Sequence, residues 1–166
     1  GTTTVTVADN VTMTAAANVV AGKTINKSGS GSDNGALAVQ IGTADNDDNL
    51  TTIGGTATKT FTVFESVTFS GTLHGSIKTS VASSQTLTTT AAIANGKTID
   101  GSGSVAITAL HSTLAADLSG ITASGGRTAA FDGNATFTGV LGTTTVTVAD
   151  NVTMTAAANV VAGKTI

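Results

Sequence analysis

The sequence predicts an all-β protein built as a parallel β-solenoid (β-helix), with right-handed crossovers and about three coils in each half-repeat of roughly 70 residues. Short segments in which apolar residues alternate with threonine indicate strands with one buried face. The opening segment returns unchanged at the end of the chain, as is typical of repeat architectures. The chain contains no Trp, Tyr or Pro, and proline would remove a hydrogen-bond donor from an interior strand.

A perfect repeat defines the predicted organisation of the chain. Residues 1–25 read GTTTVTVADNVTMTAAANVVAGKTI, and residues 142–166 have the same letters. The two copies begin 141 positions apart. We therefore expect a tandem array whose unit equals this interval, in which the last segment starts the next unit.

Each unit is predicted to contain two related halves. Gly22–Ile25 matches Gly96–Ile99, and Val67–Gly71 resembles Ala135–Gly139. The predicted parts are a first half-repeat at 1–74, a second half-repeat at 75–141 and the start of the next unit at 142–166.

The first strands follow from the alternation in the opening segment. Val5 and Val7 share one face, residues 8–10 form a turn, and Val11 and Met13 are expected to point inward. The following run, Ala15–Ala17, could start a helix. Because Asn18, two β-branched valines and Gly22 come next, we predict extended chain there, followed by a short strand at residues 23–25.

Further strands alternate with turn-forming residues. Residues 27–35 form a Gly/Ser loop, and Gly54-Gly55, Glu65-Ser66 and Gly71 mark later turns. Between them, strands are predicted at Leu37–Ile41, Leu50–Ile53, Phe61–Phe64 and Val67–Phe69.

The predicted coil is about 22 to 25 residues long, which gives about six coils and a rise of roughly 29 Å per unit at the usual spacing between paired strands. Ile25, Ile99 and Ile166 each follow Gly-Lys-Thr. We expect all three to be inward anchors at equivalent coil positions.

Two other organisations compete with this interpretation. A string of β-sandwich domains usually buries Trp or Tyr between its sheets, and neither residue is present. Disorder would fit the abundant Gly, Ser and Thr, but disordered chains are poor in hydrophobic and β-branched residues. The mean hydropathy of this chain is +0.29, so the solenoid is favoured.

Charge and composition exclude several function classes. The net charge is −3, and the seven basic residues are scattered singly, so no nucleic-acid partner is expected. No run of 18 apolar residues is present, so no membrane span is expected. The absence of cysteine excludes disulfides and thiolate zinc sites.

The most acidic loop is the predicted metal site. Asp45, Asp47 and Asp48 lie in one short loop with Asn46 and Asn49, and Ca²⁺ accepts such oxygen ligands in irregular geometry. The alternative is a solvated polar turn, since the spacing departs from the EF-hand pattern. A second segment, residues 29–33, resembles part of the calcium-binding nonapeptide of repeat toxins, but Gly35 stands where an apolar residue is expected.

Five asparagines begin the N-x-S/T sequence of N-glycosylation. With ten asparagines in a chain rich in Ser and Thr, coincidence explains them nearly as well. The five are Asn10, Asn26, Asn49, Asn134 and Asn151.

No enzymatic activity is expected. His74 and His111 stand alone in sequence, and Arg127 and Glu65 are the only residues of their types. A catalytic triad needs Ser, His and a carboxylate to converge in space, which sequence does not establish. Carbohydrate cleavage needs clustered carboxylates, or Asp with Arg and Lys, in one cleft, and Asp117 and Asp132 stand apart in the sequence.

Thr-x-Thr pairs recur along the predicted strands. A flat ladder of such pairs can bind ice, but their uneven spacing favours ordinary outward-facing strand positions. The pairs are Thr4/Thr6, Thr12/Thr14, Thr58/Thr60, Thr88/Thr90 and Thr136/Thr138.

The segments VTVADNVTMTAAANVVAGKTI and TLTTTAAIANGKTIDGSGSVAI resemble the Thr/Gly/Ala-rich β-solenoid repeats of giant bacterial surface proteins, such as filamentous-haemagglutinin-like adhesins and matrix filaments. The resemblance implies an exported, fibrous structural protein, extracellular or on the cell surface. From the repeat, we expect its partners to be copies of itself, as neighbouring repeats end to end and as fibres that contact one another laterally through their Thr-covered faces. The alternative is the stalk or binding region of an adhesin that recognises a glycan, a surface or ice. Neither requires a cofactor, apart from the possible Ca²⁺.

Overall fold

The computed structural model of the chain describes residues 3–29 and 35–166. Within these ranges the chain forms mainly short β-strands, with a few single-turn helices. The strands are β1 (Thr4–Val7), β2 (Thr12–Ala16), β3 (Thr24–Lys27), β4 (Ala36–Ile41), β5 (Thr58–Val63), β6 (Val67–Phe69), β7 (Thr79–Val81), β8 (Thr86–Thr90), β9 (Ile99–Gly101), β10 (Ser104–Thr108), β11 (Gly126–Phe131), β12 (Ala135–Phe137), β13 (Thr145–Val148) and β14 (Met154–Ala156). The helical turns are α1 (Ala17–Val20), α2 (Ala91–Ala94) and α3 (Ala158–Val161), with 3-10 turns at Thr43–Asp45, Leu50–Thr52 and Leu110–Ser112.

All strand pairings among the described residues are parallel. Two sheets have five strands, in the orders β2-β4-β5-β7-β9 and β6-β8-β10-β11-β13, and two pairs, β1-β3 and β12-β14, complete the set. The prediction of an all-β protein with parallel sheets is therefore confirmed.

Paired strands follow one another along the chain at short intervals. The shortest interval between paired strands separates Thr128 from Thr145, and the longest separates Thr12 from Ala36. Most of these intervals are shorter than the coil length predicted from the sequence, because several turns need only a few residues outside the strands.

The core consists of columns of buried side chains that run across the sheets. One column places Val39, Phe61, Thr79, Ile99 and Ile121 in register, and all five are buried. The neighbours of each of these residues along its strand are less buried, as the alternation predicted. Parallel in-register pairing therefore stacks buried side chains, mostly aliphatic, directly on one another from strand to strand.

A second column lies in the other five-stranded sheet. It contains Phe69, Thr89, Ile107, Ala129 and Val146, again all buried. The Thr89 hydroxyl donates to the Phe69 carbonyl oxygen at 2.9 Å, which satisfies its buried polar group. Elsewhere in the core, the rings of Phe131 and Phe137 meet edge to face, with centroids 5.5 Å apart.

Two local predictions of extended chain are wrong. The prediction holds for Ala15 and Ala16, which belong to β2, but residues 17–20 form the helical turn α1. Ala17 and Val20 are one turn apart and both are buried, so the turn packs on the core. Leu50–Thr52 is a 3-10 turn and not a strand, since the Asn49 side chain accepts a hydrogen bond from Thr51 N and starts the turn.

Two predicted inward residues are exposed. Val11 is 49% exposed because it precedes β2, the end strand of its sheet, whose outer side no described strand covers. Its equivalent Val152 follows an asparagine in the same conformation and is partly buried, so the turn is not the cause. Ile25 and Ile99 are fully buried anchors as predicted, but Ile166 is 62% exposed. The two buried anchors lie beside later segments, since Ile25 N donates to Gly54 O and Ile99 N to Gly120 O. No described residue covers Ile166 in this way.

The elements of the chain recur in the same order. The first series is β1, β2, α1, β3 and β4, and the second is β7, β8, α2, β9 and β10. Where the two series share sequence, equivalent residues such as Ile25 and Ile99 are 74 positions apart. A third series begins with β13, β14 and α3. The equivalent strands β1, β7 and β13 lie in three different sheets. Successive series are therefore displaced sideways, from one sheet to the next.

The Gly/Ser loop at residues 27–35 and the nonapeptide-like segment at 29–33 lie partly outside the described residues, and both stay predictions. Among the helices that the structure describes, none is long and apolar enough to cross a membrane.

Candidate functional site

The most informative surfaces are the two copies of the repeated segment. Residues 1–25 are called here the N-terminal copy, and residues 142–166 the C-terminal copy. Strands β13 and β14 of the C-terminal copy pair in parallel with β11 and β12. The side of β11 and β12 that receives them is called the acceptor edge. One sequence thus occupies two different environments in one chain.

Hydrogen bonds around the turn between β13 and β14 also hold the C-terminal copy on the acceptor edge. Ala149 N donates to Phe131 O at 2.9 Å, and Ala135 N donates to Thr153 O at 3.0 Å. Thr153 N donates to the Asn134 side-chain oxygen at 2.7 Å. These bonds bridge the turn between the two strand pairs, so both strands of the copy are fixed in one register.

Burial differs between the copies in a complementary way. Val146 of the C-terminal copy is buried against the acceptor edge, whereas its equivalent Val5 is only half-buried. Conversely, Ala17 of the N-terminal copy is fully buried beneath later residues, whereas its equivalent Ala158 is exposed. Each copy therefore lacks the neighbour that the other copy has.

An open apolar hollow of about 420 Å³ marks the free side of the C-terminal copy. Its lining is mainly apolar, which is unusual for a surface that faces water. The residues around it include Val148, Val152, Met154, Val161 and Ile166.

The predicted calcium loop is organised by hydrogen bonds to protein groups. Asp45 is 2% exposed, and its two carboxylate oxygens accept from Asn18 N and Gly42 N, each at 2.9 Å. Asp47 is exposed to solvent. Among the described residues, no three His, Asp or Glu side chains are grouped so that they could hold one metal ion. Asp45 thus serves to join α1 to the loop, and the calcium site stays a prediction.

Asp48 is the polar group with the least complete environment in this loop. Burial, followed by the nearby charges of Asp45 and Asp47, raises the pKa of its carboxyl. Its Oδ2 atom is buried and has no hydrogen-bond partner among the described residues. The carboxyl of Asp48 is therefore an incompletely satisfied polar group within the turn.

Of the five glycosylation candidates, Asn26 lies within β3 and the other four lie outside the strands. Three use their side-chain oxygen to stabilise the backbone: Asn26 accepts from Thr56 N, Asn49 from Thr51 N, and Asn134 from Thr153 N. Asn10 and Asn151 are exposed and adopt the left-handed conformation, with φ near 60°. The five asparagines thus either stabilise the backbone of a neighbouring segment or adopt a geometry that asparagine favours, and their glycosylation stays a prediction.

The structure also contains a Ser-His-Asp arrangement that the sequence does not predict. His111 Nδ1 lies 2.5 Å from Asp132 Oδ1, and Ser112 Oγ lies 2.9 Å from His111 Nε2. These contacts match two hydrogen bonds of a catalytic triad. However, the side chains of His111 and Asp132 are 36% and 54% exposed, so the group lies on an open surface and not in a cleft that would position a substrate.

The equivalent position of the first half-repeat indicates a structural role for this group. There, Glu65 Oε2 accepts from both the backbone N and the hydroxyl of Thr43, each at 3.1 Å. In an alignment of the two halves, Thr43 matches His111 and Glu65 matches Gly133. Glu65 therefore lies one residue beyond the position that matches Asp132. A carboxylate thus joins the same two successive turns in both halves.

A second pair of equivalent side chains also became visible only in the structure. Lys59 Nζ donates to Gly55 O at 2.8 Å, and Arg127 Nη1 donates to Ala123 O at the matching place in the second half. An alignment of the halves at this offset could have revealed that both positions are basic. Partial burial lowers the pKa of Lys59.

The Thr-x-Thr pairs do not form one continuous ladder. Thr12 and Thr14 face outward, but the residues paired with them on β4 are Ala36 and Ala38. Threonine returns only on the next strand, at Thr58 and Thr60. The outward positions are thus those of ordinary strands, and the regular array that ice binding needs is interrupted.

Comparison with models of known protein families, with curated proteins and with solved structures found no significant match for this chain. The function must therefore be inferred from the geometry of the chain itself.

Proposed function

We propose that this chain is a structural repeat of a long extracellular or cell-surface fibre, sheath or matrix filament, assembled by end-to-end stacking of β-solenoid coils. The observation that carries the proposal is the pairing of β13 and β14 with β11 and β12. Since β13 and β14 have the sequence of the opening segment, they represent the junction between one unit and the next. No enzymatic activity and no nucleic-acid partner are part of the proposal.

The solenoid itself is supported by the pattern of sheets. Paired parallel strands begin about 20 residues apart. This interval fits a coil with three faces, in which each turn adds one strand or loop to each face. The equivalent strands β1, β7 and β13 lie in three different sheets. In such a coil, each half-repeat therefore makes three full turns plus one-third of a turn, which moves the next equivalent strand to the neighbouring face. The crossovers are proposed to be right-handed, as nearly all parallel crossovers are.

This geometry revises the expected rise of the unit. Two half-repeats then make about six and two-thirds turns, which at about 4.8 Å per turn gives a rise of roughly 32 Å. Equivalent surfaces of successive units are rotated by two of the three faces, so the complete axial repeat contains three units and measures roughly 96 Å. The sequence-based value of roughly 29 Å assumed six turns.

The mechanism of the proposed fibre is geometric. An exposed strand edge invites pairing with another strand, and in an array each unit covers the edge of the unit before it. The inward columns then continue through the junction, as Val146 continues the column of Ala129 and Ile107. Identical units therefore form a rod without dedicated interface residues.

Electron microscopy of a chain with six or more units tests the proposal. We expect straight rods of uniform width, with axial layer lines at roughly 32 Å and 96 Å and a strand reflection at about 4.8 Å. Beads of globular domains joined by flexible tethers would contradict it. The second candidate, an adhesin stalk with a binding region, predicts isolated thin stalks with larger heads.

A further inference from the structure

The acceptor edge already binds one partner in this structure, the C-terminal copy, and this contact indicates which other segments it can bind. Thr128, Ala129, Ala130 and Phe131 pair with β13, and Ala135–Phe137 pairs with β14. Every residue of β13 and β14 recurs in the N-terminal copy of the same chain. The acceptor edge therefore has no means of distinguishing the two copies by their side chains.

The N-terminal copy carries a matching unpaired edge. Strand β1 pairs only with β3, and β2 only with β4, among the described residues. Thr3 is exposed, whereas its equivalent Thr144 is 3% exposed. Val5 and Met13 are half-buried apolar residues at this edge. The unpaired side of β1 and β2 is thus the side that β13 and β14 direct to the acceptor edge.

We propose that the acceptor edge also binds the N-terminal copy of a second chain, in the register observed for the C-terminal copy, so that separate chains join head to tail. The inference rests on the proposed function, since it uses the same junction between units. It goes further in naming the partner, a second copy of this chain, and the competitor, the C-terminal copy. Thr4 would then pair with Thr128 of the other chain, and Met13 with Ala135.

Covalent linkage normally decides the competition. The C-terminal copy continues directly from β12, so its effective concentration at the acceptor edge far exceeds that of a second chain. The C-terminal copy therefore outcompetes the N-terminal copy of a second chain for the acceptor edge. Weakening the C-terminal copy alone should expose the acceptor edge, while the N-terminal copy remains able to bind it.

The identical sequences allow a matched test in the full chain. Val146→Asp places a charge at a buried position of the C-terminal copy, which burial strongly disfavours. Val5→Asp makes the same change in the N-terminal copy. We expect V146D to form head-to-tail oligomers at a concentration at least about tenfold lower than the unsubstituted chain. V5D should remain monomeric, and the double variant V5D/V146D should be monomeric too, because neither copy can then bind.

Sedimentation velocity gives the size of the oligomers, and disulfide formation gives the register. The chain has no cysteine, so Thr4→Cys and Thr128→Cys can be added to V146D without side reactions. Both positions are exposed, and Thr145, the equivalent of Thr4, pairs with Thr128, which brings the Cα atoms within disulfide range. We expect oxidised ladders on a denaturing gel. The control pair, Thr14→Cys with Thr128→Cys, should give none.

The inference can fail in this experiment without contradicting the proposed function. Monomeric V146D with an intact far-ultraviolet spectrum, or oligomers that crosslink equally well through the control pair, would overturn the inference. Rods formed by covalently linked units would still support the proposed function in that case. If V146D disturbs the fold, Val146→Ala with Val5→Ala as its control provides the same comparison with a smaller perturbation.

Discussion

Ile25 and Ile166 end the same Gly-Lys-Thr-Ile sequence, yet Ile25 is 0% exposed and Ile166 is 62% exposed. Ile25 lies beside a later segment, since its N donates to Gly54 O at 3.1 Å and its O accepts from Ala57 N at 3.1 Å. Among the described residues, Ile166 has no such neighbour. The burial of each isoleucine therefore depends on whether a later segment of the chain packs beside it, and not on the local sequence.

This pair gives the first prediction. Ile25→Ala removes three methyl-sized groups from a filled core and should cost about 3 kcal/mol of unfolding free energy. Ile166→Ala changes an exposed residue and should cost less than about 0.5 kcal/mol. Urea denaturation of both variants measures the difference. Equal losses would mean that the end of the chain is packed differently from the structure described above.

The sequence predicted the strands where alternation is regular, as at Leu37, Val39 and Ile41, because a buried face requires this pattern and little else satisfies it. It did not predict α1, where the β-branched Val19 and Val20 argued for extended chain. There the burial of Ala17 and Val20 against a corner of the core outweighs intrinsic propensity.

The candidate sites were harder to predict for a related reason. Asp45, Asp47 and Asp48 are close in sequence, but Asp45 is turned inward and bonded to Asn18 in α1, 27 residues earlier. The sequence does not indicate that one of the three carboxylates is used in this way. His111 and Asp132 are 21 residues apart and meet because they follow β10 and β11, which pair in parallel. Such contacts depend on the interval between paired strands, which composition and alternation do not specify to the residue.

Asp45 supports a second prediction. Asp45→Asn replaces an oxygen acceptor with an amide group that cannot accept from both Asn18 N and Gly42 N. One of these two donors, the buried Gly42 N or the partly buried Asn18 N, then loses its partner, and we expect a loss of about 1–3 kcal/mol in unfolding free energy. Asp47→Asn, at an exposed position, should have almost no effect.

The same two variants test the calcium prediction when melting is measured with Ca²⁺ and with a chelator. A structural role for Asp45 alone predicts equal melting temperatures in the two conditions for every variant. If Ca²⁺ bound this loop, it would raise the melting temperature of the unsubstituted chain, and Asp47→Asn would reduce that increase.

Gly71 supports a third prediction. Its peptide N approaches Asn46 O at 3.2 Å, and a Cβ atom at Gly71 would overlap the backbone oxygen of Asp48. Gly71→Ala should therefore force the backbone apart and destabilise the fold by roughly 1–3 kcal/mol. At Gly75 the nearest atom to an added Cβ is Lys97 Nζ, at 3.9 Å. Gly75→Ala should be tolerated, and thermal melting compares the two.

His74 supports a fourth prediction, which concerns pH. Its ring stacks on Phe61 with centroids 5.7 Å apart, and its Nδ1 accepts from Ser76 N and Ile77 N, each at 3.2 Å. Burial, together with the charges of Lys59 and Lys97, lowers the pKa of His74 below its ordinary value of 6.5. Below pH 6.5 the unfolded chain therefore binds more protons than the folded chain.

Stability from this group should be complete above pH 6.5 and should decrease as the pH falls through the folded-state pKa. His74→Asn keeps an acceptor near the Nδ1 position but cannot titrate, so it should flatten this part of the pH profile. Lys97→Met should reduce the slope without abolishing it. Denaturant titrations between about pH 5 and 8 measure both effects, and an unchanged slope in His74→Asn would contradict the assignment.

The Ser112, His111 and Asp132 group supports the last prediction, that it joins turns and does not catalyse. Hydrolysis of an activated ester requires donors placed around the oxyanion as well as a nucleophile and its base, and an exposed turn supplies no enclosed position for the substrate. We expect Ser112→Ala to leave the hydrolysis of p-nitrophenyl acetate unchanged. His111→Gln and Asp132→Asn should each lower the unfolding free energy by less than about 1 kcal/mol, as exposed polar pairs do. A loss of hydrolysis in Ser112→Ala that Ser102→Ala does not reproduce would instead identify Ser112 as a nucleophile.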